Sequence, residues 1–304
     1  MMNARFGKKI LLHAVDRVSF TLARGEALGL VGESGCGKTT LGRLILRLLE
    51  PDSGSVLYER AEISRKNIGQ FRSRMQIIYQ NPERSLDPRM QIHDIVAEGM
   101  KHNQKGIAKG ECRKQVQEIL NMVGLRSEDA LLYPHELSGG QQQRVGIARA
   151  LAVDPEFIVC DEPVSSLDVS YQSQIINLLE DLQKKKGLSY LFISHDLSVV
   201  RHISDRIGVM YLGRFIETGP TDEVILHPAH PYTKSLLAAI PVPDPEHYRT
   251  KRNGEEPELI QARDNDTAGC LYYNSCRFAK AICGSSKPDS KEIAPGRQCA
   301  CHLY

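Results

Sequence analysis

No stretch of this 304-residue chain approaches the ~18 consecutive apolar residues of a membrane-spanning helix, and its first residues lack the apolar core of a secretory signal. A cytosolic location follows as the default. An excess of one charge is missing as well: 39 Lys and Arg face 37 Asp and Glu, a formal balance of +2. Nothing in that balance marks a nucleic-acid-coating protein. The length allows one large or two smaller domains with ample room for a buried core.

Cysteine is the residue that is present in excess for a reduced compartment. Cys36, Cys112 and Cys160 are scattered, while Cys270, Cys276, Cys283, Cys299 and Cys301 crowd the last 35 residues. Such clustering argues for metal over disulfides.

The stretch that organises the chain is Gly32-Glu33-Ser34-Gly35-Cys36-Gly37-Lys38-Thr39, which fits GxxxxGK[ST] at every required position. Before it, Ala27–Val31 is a short apolar run of strand type. After it, Thr40 to Leu49 has leucines at helical spacing. Glycines let several backbone N–H groups point at one anion, and the helix N-terminus adds its partial positive charge. Lys38 is expected to reach the β- and γ-phosphates of a nucleotide, with Thr39 ligating Mg²⁺ and Thr40 continuing the cradle.

Upstream, the alternation Ala14–Leu22, closed by a turn at Ala23–Glu26, predicts a β-hairpin leading into the loop. Phe6 is the aromatic placed to stack on a base. Downstream, Ser55–Tyr58 and Met75–Tyr79 read as strands, the second ending at Gln80-Asn81-Pro82. There Gln80 can hold water or Mg²⁺ near a γ-phosphate. From Ser85 to Leu137 the pattern is helical. Lys109 to Val123 places Cys112, Val116, Ile119, Leu120 and Val123 on one face, a helical insertion in an α/β core.

Ser138, Gly139, Gly140 and Gln141 then open another helix, a second N-terminal anion site. Phe157–Cys160 is an apolar strand delivering Asp161 and Glu162 at its carboxyl end. Asp161 suits Mg²⁺ binding and Glu162 suits polarising an attacking water. Ser165–Asp168 precedes a helix from about Ser170 to Lys185. A buried-strand run, Leu188–Ser194, ends at His195, and a hairpin closes around Leu212-Gly213.

With Gly32–Thr39, Gln80, Leu137–Gln141, Asp161-Glu162, Ser165–Asp168 and His195 in this order, the chain resembles an ABC-transporter ATPase subunit over roughly residues 10 to 226. Leu-Ser-Gly-Gly-Gln is the family's own signature and separates it from kinases, GTPases and helicases. The resemblance implies an α/β P-loop NTPase core of ABC type: a mixed sheet with an antiparallel β edge, and a helical subdomain at about 82–156. It also implies ATP and Mg²⁺ as ligands, Mg²⁺ being held through Thr39, Gln80 and Asp161. Glu162, His195 and Gln80 would be the catalytic set, with His195 at the γ-phosphate. Asp168 would help join two sites across a dimer. The region from Gln80 to Met90 would face a membrane partner.

The segment His227–Pro241 is similar to the extension of the oligopeptide/dipeptide importer subfamily, and Val31–Lys38 with Ser85–Met90 resembles the second of its two ATPase chains. That similarity implies a nucleotide-binding domain at 1–226, a Cys-bearing extension at 227–304 and a peripheral place on the cytoplasmic face of the membrane. The implied partners are a second, non-identical ATPase, two permease subunits and, indirectly, an extracytoplasmic binding protein, with no nucleic acid. Nickel and glutathione importers use close relatives, so a small-solute cargo stays open beside peptides. A soluble ABC ATPase fits less well, since those usually carry two cassettes or long coiled coils.

Cys270, Cys276, Cys283 and Cys301 are spaced C-x5-C-x6-C-x17-C and resemble the subfamily's cysteines associated with a four-iron cluster. Zinc and free or disulfide-bonded thiols remain alternatives, although the four lack the short C-x-x-C knuckle usual for zinc. Cys299 and His302 flank Cys301 as substitutes for the last ligand.

Overall fold

The computed structural model describes residues 13–104, 106–239 and 268–304. Phe6 lies outside them. In chain order the elements are β1 (Ala27–Val31), α1 (Lys38–Ile45), β2 (Val56–Tyr58), β3 (Ala61–Ile63), β4 (Met75–Ile78), α2 (Pro82–Ser85), α3 (Ile92–Asn103), α4 (Lys109–Met122), α5 (Gly139–Leu151) and β5 (Phe157–Asp161). There follow α6 (Val169–Lys186), β6 (Ser189–Ile193), α7 (Leu197–Ile203), β7 (Arg206–Tyr211), β8 (Arg214–Pro220), α8 (Thr221–Leu226), α9 (Pro231–Ala238), β9 (Lys291–Ala294) and β10 (Arg297–Cys299).

The main sheet runs β4-β5-β6-β1-β7-β8-β10-β9. The pairs from β4 through β7 are parallel, and those from β7 to β9 are antiparallel. This is the mixed sheet with an antiparallel edge that the sequence implies. Parallel strands covered on both faces need continuous apolar runs, and β1, β5 and β6 are buried at every position. Their residues alternate between two cores. Ala27, Val31, Ile158, Cys160, Tyr190 and Phe192 pack toward the helical layer, while Leu28, Leu30, Phe157, Val159, Leu191 and Ile193 pack on the opposite face with Leu41 and Met210.

The helical layer is built on the predicted periodicity. In α4 the buried side chains are Cys112, Val116 and Leu120, and α3 contributes Ile92, Ile95, Val96 and Met100, all within one core. Ile119, expected on the buried face, is only half-covered.

One expectation fails. Among the described residues 13–26 no strand forms, so the predicted hairpin there is absent. Instead Val15, Val18, Phe20 and Leu22 lean on the second core, Phe20 meets Phe215 edge-on at 5.8 Å, and the Asp16 N–H donates to the Gly213 carbonyl. The alternation is real, but it is satisfied by side-chain packing on the β7–β8 hairpin without a backbone ladder.

The C-terminal segment continues the sheet: β10 pairs with β8 through Gln298↔Thr218 and Cys299↔Glu217, and β9 lies outside it. A buried carboxylate secures this arrangement. Glu217, 1% exposed, accepts from the backbone N–H groups of Ala229 (2.9 Å) and His230 (2.8 Å) and from the Arg297 guanidinium (2.8 Å). Arg297 also donates to the His227 carbonyl. Glu217→Ala strips an acceptor from two backbone donors and leaves a buried guanidinium with only the exposed Glu223, 4.0 Å away, as counter-charge. The expected loss is about 3–5 kcal/mol, read by urea denaturation, together with new protease cleavage in residues 227–238. A loss below about 1 kcal/mol would show that the anchor is dispensable.

Candidate functional site

Because β1, β4, β5 and β6 are parallel neighbours, their carboxyl ends open on one side of the sheet. The phosphate loop follows β1, Gln80 follows β4, Asp161 and Glu162 end β5, and His195 follows β6. Residues far apart in the sequence are assembled by sheet order alone.

The loop curls as the glycine pattern demands. Gly37 caps α1 at φ 110°, and a Cβ there would run into the carbonyl oxygen of Ala14. Lys38 is 5% exposed, and its ammonium donates to the carbonyls of Gly32 (2.7 Å) and Glu33 (2.9 Å). Cys36 lies beside it, with Sγ 3.8 Å from Lys38 Nζ. Burial raises the Cys36 thiol pKa against the opposing charge of Lys38, so this cysteine is a small apolar loop residue.

Thr39 and Asp161 meet directly: the Thr39 hydroxyl donates to Asp161 Oδ1 at 2.8 Å. Burial raises the Asp161 pKa, and the Thr39 bond only partly opposes it. A hydroxyl and a desolvated carboxylate are hard oxygen donors suited to Mg²⁺. Glu162 is the meeting point of the other predicted residues. Its carboxylate accepts from Gln80 Nε2 (2.9 Å) and lies 3.4 Å from His195 Nδ1. Its backbone sits at φ 48°, the left-handed region that glutamate seldom adopts, and its N–H is held by the Ile193 carbonyl.

Ser165 and Ser166 fasten the next turn by donating to the carbonyls of Glu162 and Gln80. Asp168 then caps α6 without a side-chain bond. The remaining motif stays apart. Ser138 and Gln141 form a reciprocal capping box at the start of α5, and among the described residues none of 138–141 bonds to residues 32–40. α5 packs instead on α2, α3, α4 and α6 and against β4.

The cleft beside Thr39 and Asp161 is also walled by Arg43, Tyr79, Gln80 and Arg149. Sequence reading missed both arginines. Arg43 is detectable, standing one helical turn after Thr39 on α1. Arg149 is hidden inside α5, where burial lowers its pKa and its guanidinium lies over Tyr79 at 5.8 Å.

In the C-terminal segment, Cys270, Cys276, Cys283 and Cys301 line one small cavity together with His230, Tyr272 and His302. Cys299 does not line it: this residue is fully buried in β10 and packs with Ala229 and Cys301. Burial pushes the Cys270 thiol up to about 11 and raises Cys276 and Cys301. Among the described residues no three His, Cys, Asp or Glu groups are placed to hold a single metal ion. Four soft thiols facing one cavity nevertheless form a donor set chemically suited to iron and sulfide.

The chain matches the family described as ABC transporter over residues 15–165, and the family described as oligopeptide/dipeptide transporter, C-terminal region, over residues 216–283. The oligopeptide transport ATP-binding protein OppF of Bacillus subtilis is 55% identical over 259 residues, spanning 84% of this chain and 85% of that protein. AppF of the same organism, also an oligopeptide transport ATP-binding protein, is 48% identical over 305 residues, or 96% and 89% of the two chains. Among solved structures, the dimeric post-hydrolysis state of the ATP-binding cassette MJ0796 bound to ADP and Pi superposes with TM-score 0.63 at 29% identity. It covers 72% of this chain and 94% of that one.

Because the folded state raises the Asp161 pKa, ionisation costs stability once the pH passes the ordinary carboxyl range. In chelator without nucleotide, Asp161→Asn is expected to be more stable by about 1 kcal/mol at neutral pH. The gap closes as acid protonates the wild-type carboxyl, and the variant loses the Mg²⁺-dependent stabilisation by nucleotide. Thermal melts across pH, with and without Mg²⁺ and ATP, check both.

Proposed function

This chain belongs to the ABC transporter family, and from that premise we propose that it is the ATP-hydrolysing subunit that energises import of di- and oligopeptides across the cytoplasmic membrane. The observation that carries the reading is the joining of Gln80 and His195 on Glu162 beside the Lys38–Thr39 loop and Asp161.

The chemistry follows from positioning and charge. With nucleotide present, the Lys38 ammonium exchanges two carbonyl partners for phosphate oxygens, while the loop amides and the α1 N-terminus hold the same anion. Thr39 and Asp161 hold Mg²⁺, whose charge neutralises the phosphates, and Gln80 supplies a further oxygen. Glu162 orients and polarises the attacking water, and His195 faces the γ-phosphate. No covalent intermediate is needed. Ser138, Gly139, Gly140 and Gln141 serve the nucleotide of a second ATPase, a role supported by their separation from the loop within one chain and by the dimeric form of MJ0796. Asp168 lies in the turn that joins the two sites.

The full assembly has a second, non-identical ATPase, two permease subunits and an extracytoplasmic binding protein. The chain lies peripherally on the cytoplasmic face, with a nucleotide-binding domain at 1–226 and an extension at 227–304. No described helix is long and apolar enough to cross a membrane.

Cys270, Cys276, Cys283 and Cys301 would hold a four-iron cluster, a reading supported by their shared cavity, which Cys299 does not line. When bound, such a cluster supplies a covalent cross-link between loops and a one-electron redox centre.

Glu162→Gln keeps ATP binding but should cut hydrolysis by about 10²–10⁴-fold, measured as phosphate release by the assembled transporter. Turnover near the wild-type rate would remove Glu162 from its role. Protein purified without oxygen should hold about four irons per chain and lose them in Cys276→Ser. Iron-free wild-type protein would overturn the cluster.

A further inference from the structure

We propose that Tyr232 is a positioning residue for nucleotide binding, through which the C-terminal extension fixes the shape of the phosphate loop. The inference rests on the ATP-binding reading above and adds a residue that lies almost 200 positions from the loop it serves.

The contact is direct. The backbone N–H of Glu33, the second residue of the loop, donates to the Tyr232 hydroxyl at 3.0 Å. Glu33 is the hinge of the empty loop. Its own carbonyl accepts from Lys38 Nζ and from the Cys36 N–H, and the carbonyl of the preceding Gly32 takes the shortest of the Lys38 bonds, 2.7 Å. The Gly32–Glu33 peptide is therefore gripped from both sides, by the catalytic cation on its oxygen and by the phenol on its nitrogen. Planarity of the peptide couples the two: a rotation that releases the N–H also carries off the acceptor that positions Lys38.

Tyr232 is itself held in place from the far side. It is fully buried, with Tyr211 at 4.5 Å and Tyr272 at 5.6 Å between ring centroids. It follows Pro231 in the first turn of α9, and its N–H donates to His230 Nδ1 at 3.0 Å. Burial pushes the His230 pKa down to about 3, so the imidazole stays neutral and keeps that acceptor across the physiological range. The His230 N–H in turn bonds to Glu217, the partner of Arg297. An unbroken series of hydrogen bonds thus runs from β10 through Glu217, His230 and Tyr232 to Glu33 and Lys38. A phenylalanine would fill the same space but break the series at its last link, leaving a part-buried N–H without its acceptor.

The test is Tyr232→Phe in the full-length chain for fluorescent-ATP titration and thermal melts, and in the assembled transporter for steady-state hydrolysis. One lost hydrogen bond predicts a dissociation constant and KM for ATP raised about three- to tenfold, with kcat within about twofold and the melting temperature of the nucleotide-free chain held. Tyr272→Phe, which removes a hydroxyl bonded to Ser235 from the same aromatic cluster, should leave KM unchanged. An unaltered KM in Tyr232→Phe overturns the inference. So does an equal rise in KM in both variants accompanied by a lower melting temperature, since that is general loosening of the extension. Failure of the wild-type chain to bind ATP would instead strike the functional reading, so the two failures are distinguishable.

Discussion

The interaction on which the site depends is the buried ammonium of Lys38. Among the described residues, this 5% exposed cation has two carbonyl oxygens and a thiol as its hydrogen-bond partners and no carboxylate within ion-pair distance. Such a group is costly unless its remaining charge is met from outside. The loop tolerates this because its carbonyls are fixed: Gly37 and Gly32 take backbone conformations open to glycine, and Glu33 is bonded at both its N–H and its C=O. The same rigidity that holds an unpaired cation prepares the loop to receive a polyanion with little reorganisation. A carboxylate placed near Lys38 would have made the empty site more stable and weakened nucleotide binding.

The rest of the centre follows from a single choice of topology. Once β1, β4, β5 and β6 are parallel and adjacent, every residue just past a strand end is brought to the same rim, and the order of the motifs along the chain ceases to matter. For that reason Lys38, Thr39, Gln80, Asp161, Glu162 and His195 were legible as a set from sequence: each follows an apolar run of strand type, and each is a residue whose chemistry has a use at a phosphate. What sequence could not supply was the pairing among them. That Gln80 and His195 both turn toward Glu162, and that Thr39 reaches Asp161, depends on side-chain directions that spacing does not encode.

The failures of sequence reading have particular causes. Residues 14–22 alternate as a strand would, yet an alternating segment needs a free strand edge to form a ladder, and among the described residues it is side-chain packing with isolated polar contacts, Asp16 to Gly213 and Arg214, that ties it to the β7–β8 hairpin. The cysteines drew attention to the C-terminal segment as a metal-binding unit, while its mechanical role was carried by residues without a motif. Glu217 reads as an exposed charge in Arg214–Gly219, and only the turn of residues 227–230 over it, with Arg297 from β10, makes it a buried anchor. Long-range closure of this kind leaves no local trace, since its partners are 12 to 80 positions apart.

The start of α5 shows the complementary case, a local pattern that satisfies itself and stays apart from the phosphate loop. Ser138 and Gln141 satisfy each other through their capping box, which disposes of two of the helix's orphan donors. The N–H groups of Gly139 and Gly140 belong to the first turn, where no carbonyl within the helix can reach them. Gly139 is exposed, whereas Gly140 is buried, and a Cβ on Gly140 would press on the Tyr171 ring. Helix N-termini favour anions, and this one keeps first-turn donors beyond the pair its capping box satisfies. Lys38 presents the converse arrangement in the same molecule. On the reading proposed above, a nucleotide bridging Lys38 and the α5 N-terminus of a partner ATPase would meet both demands.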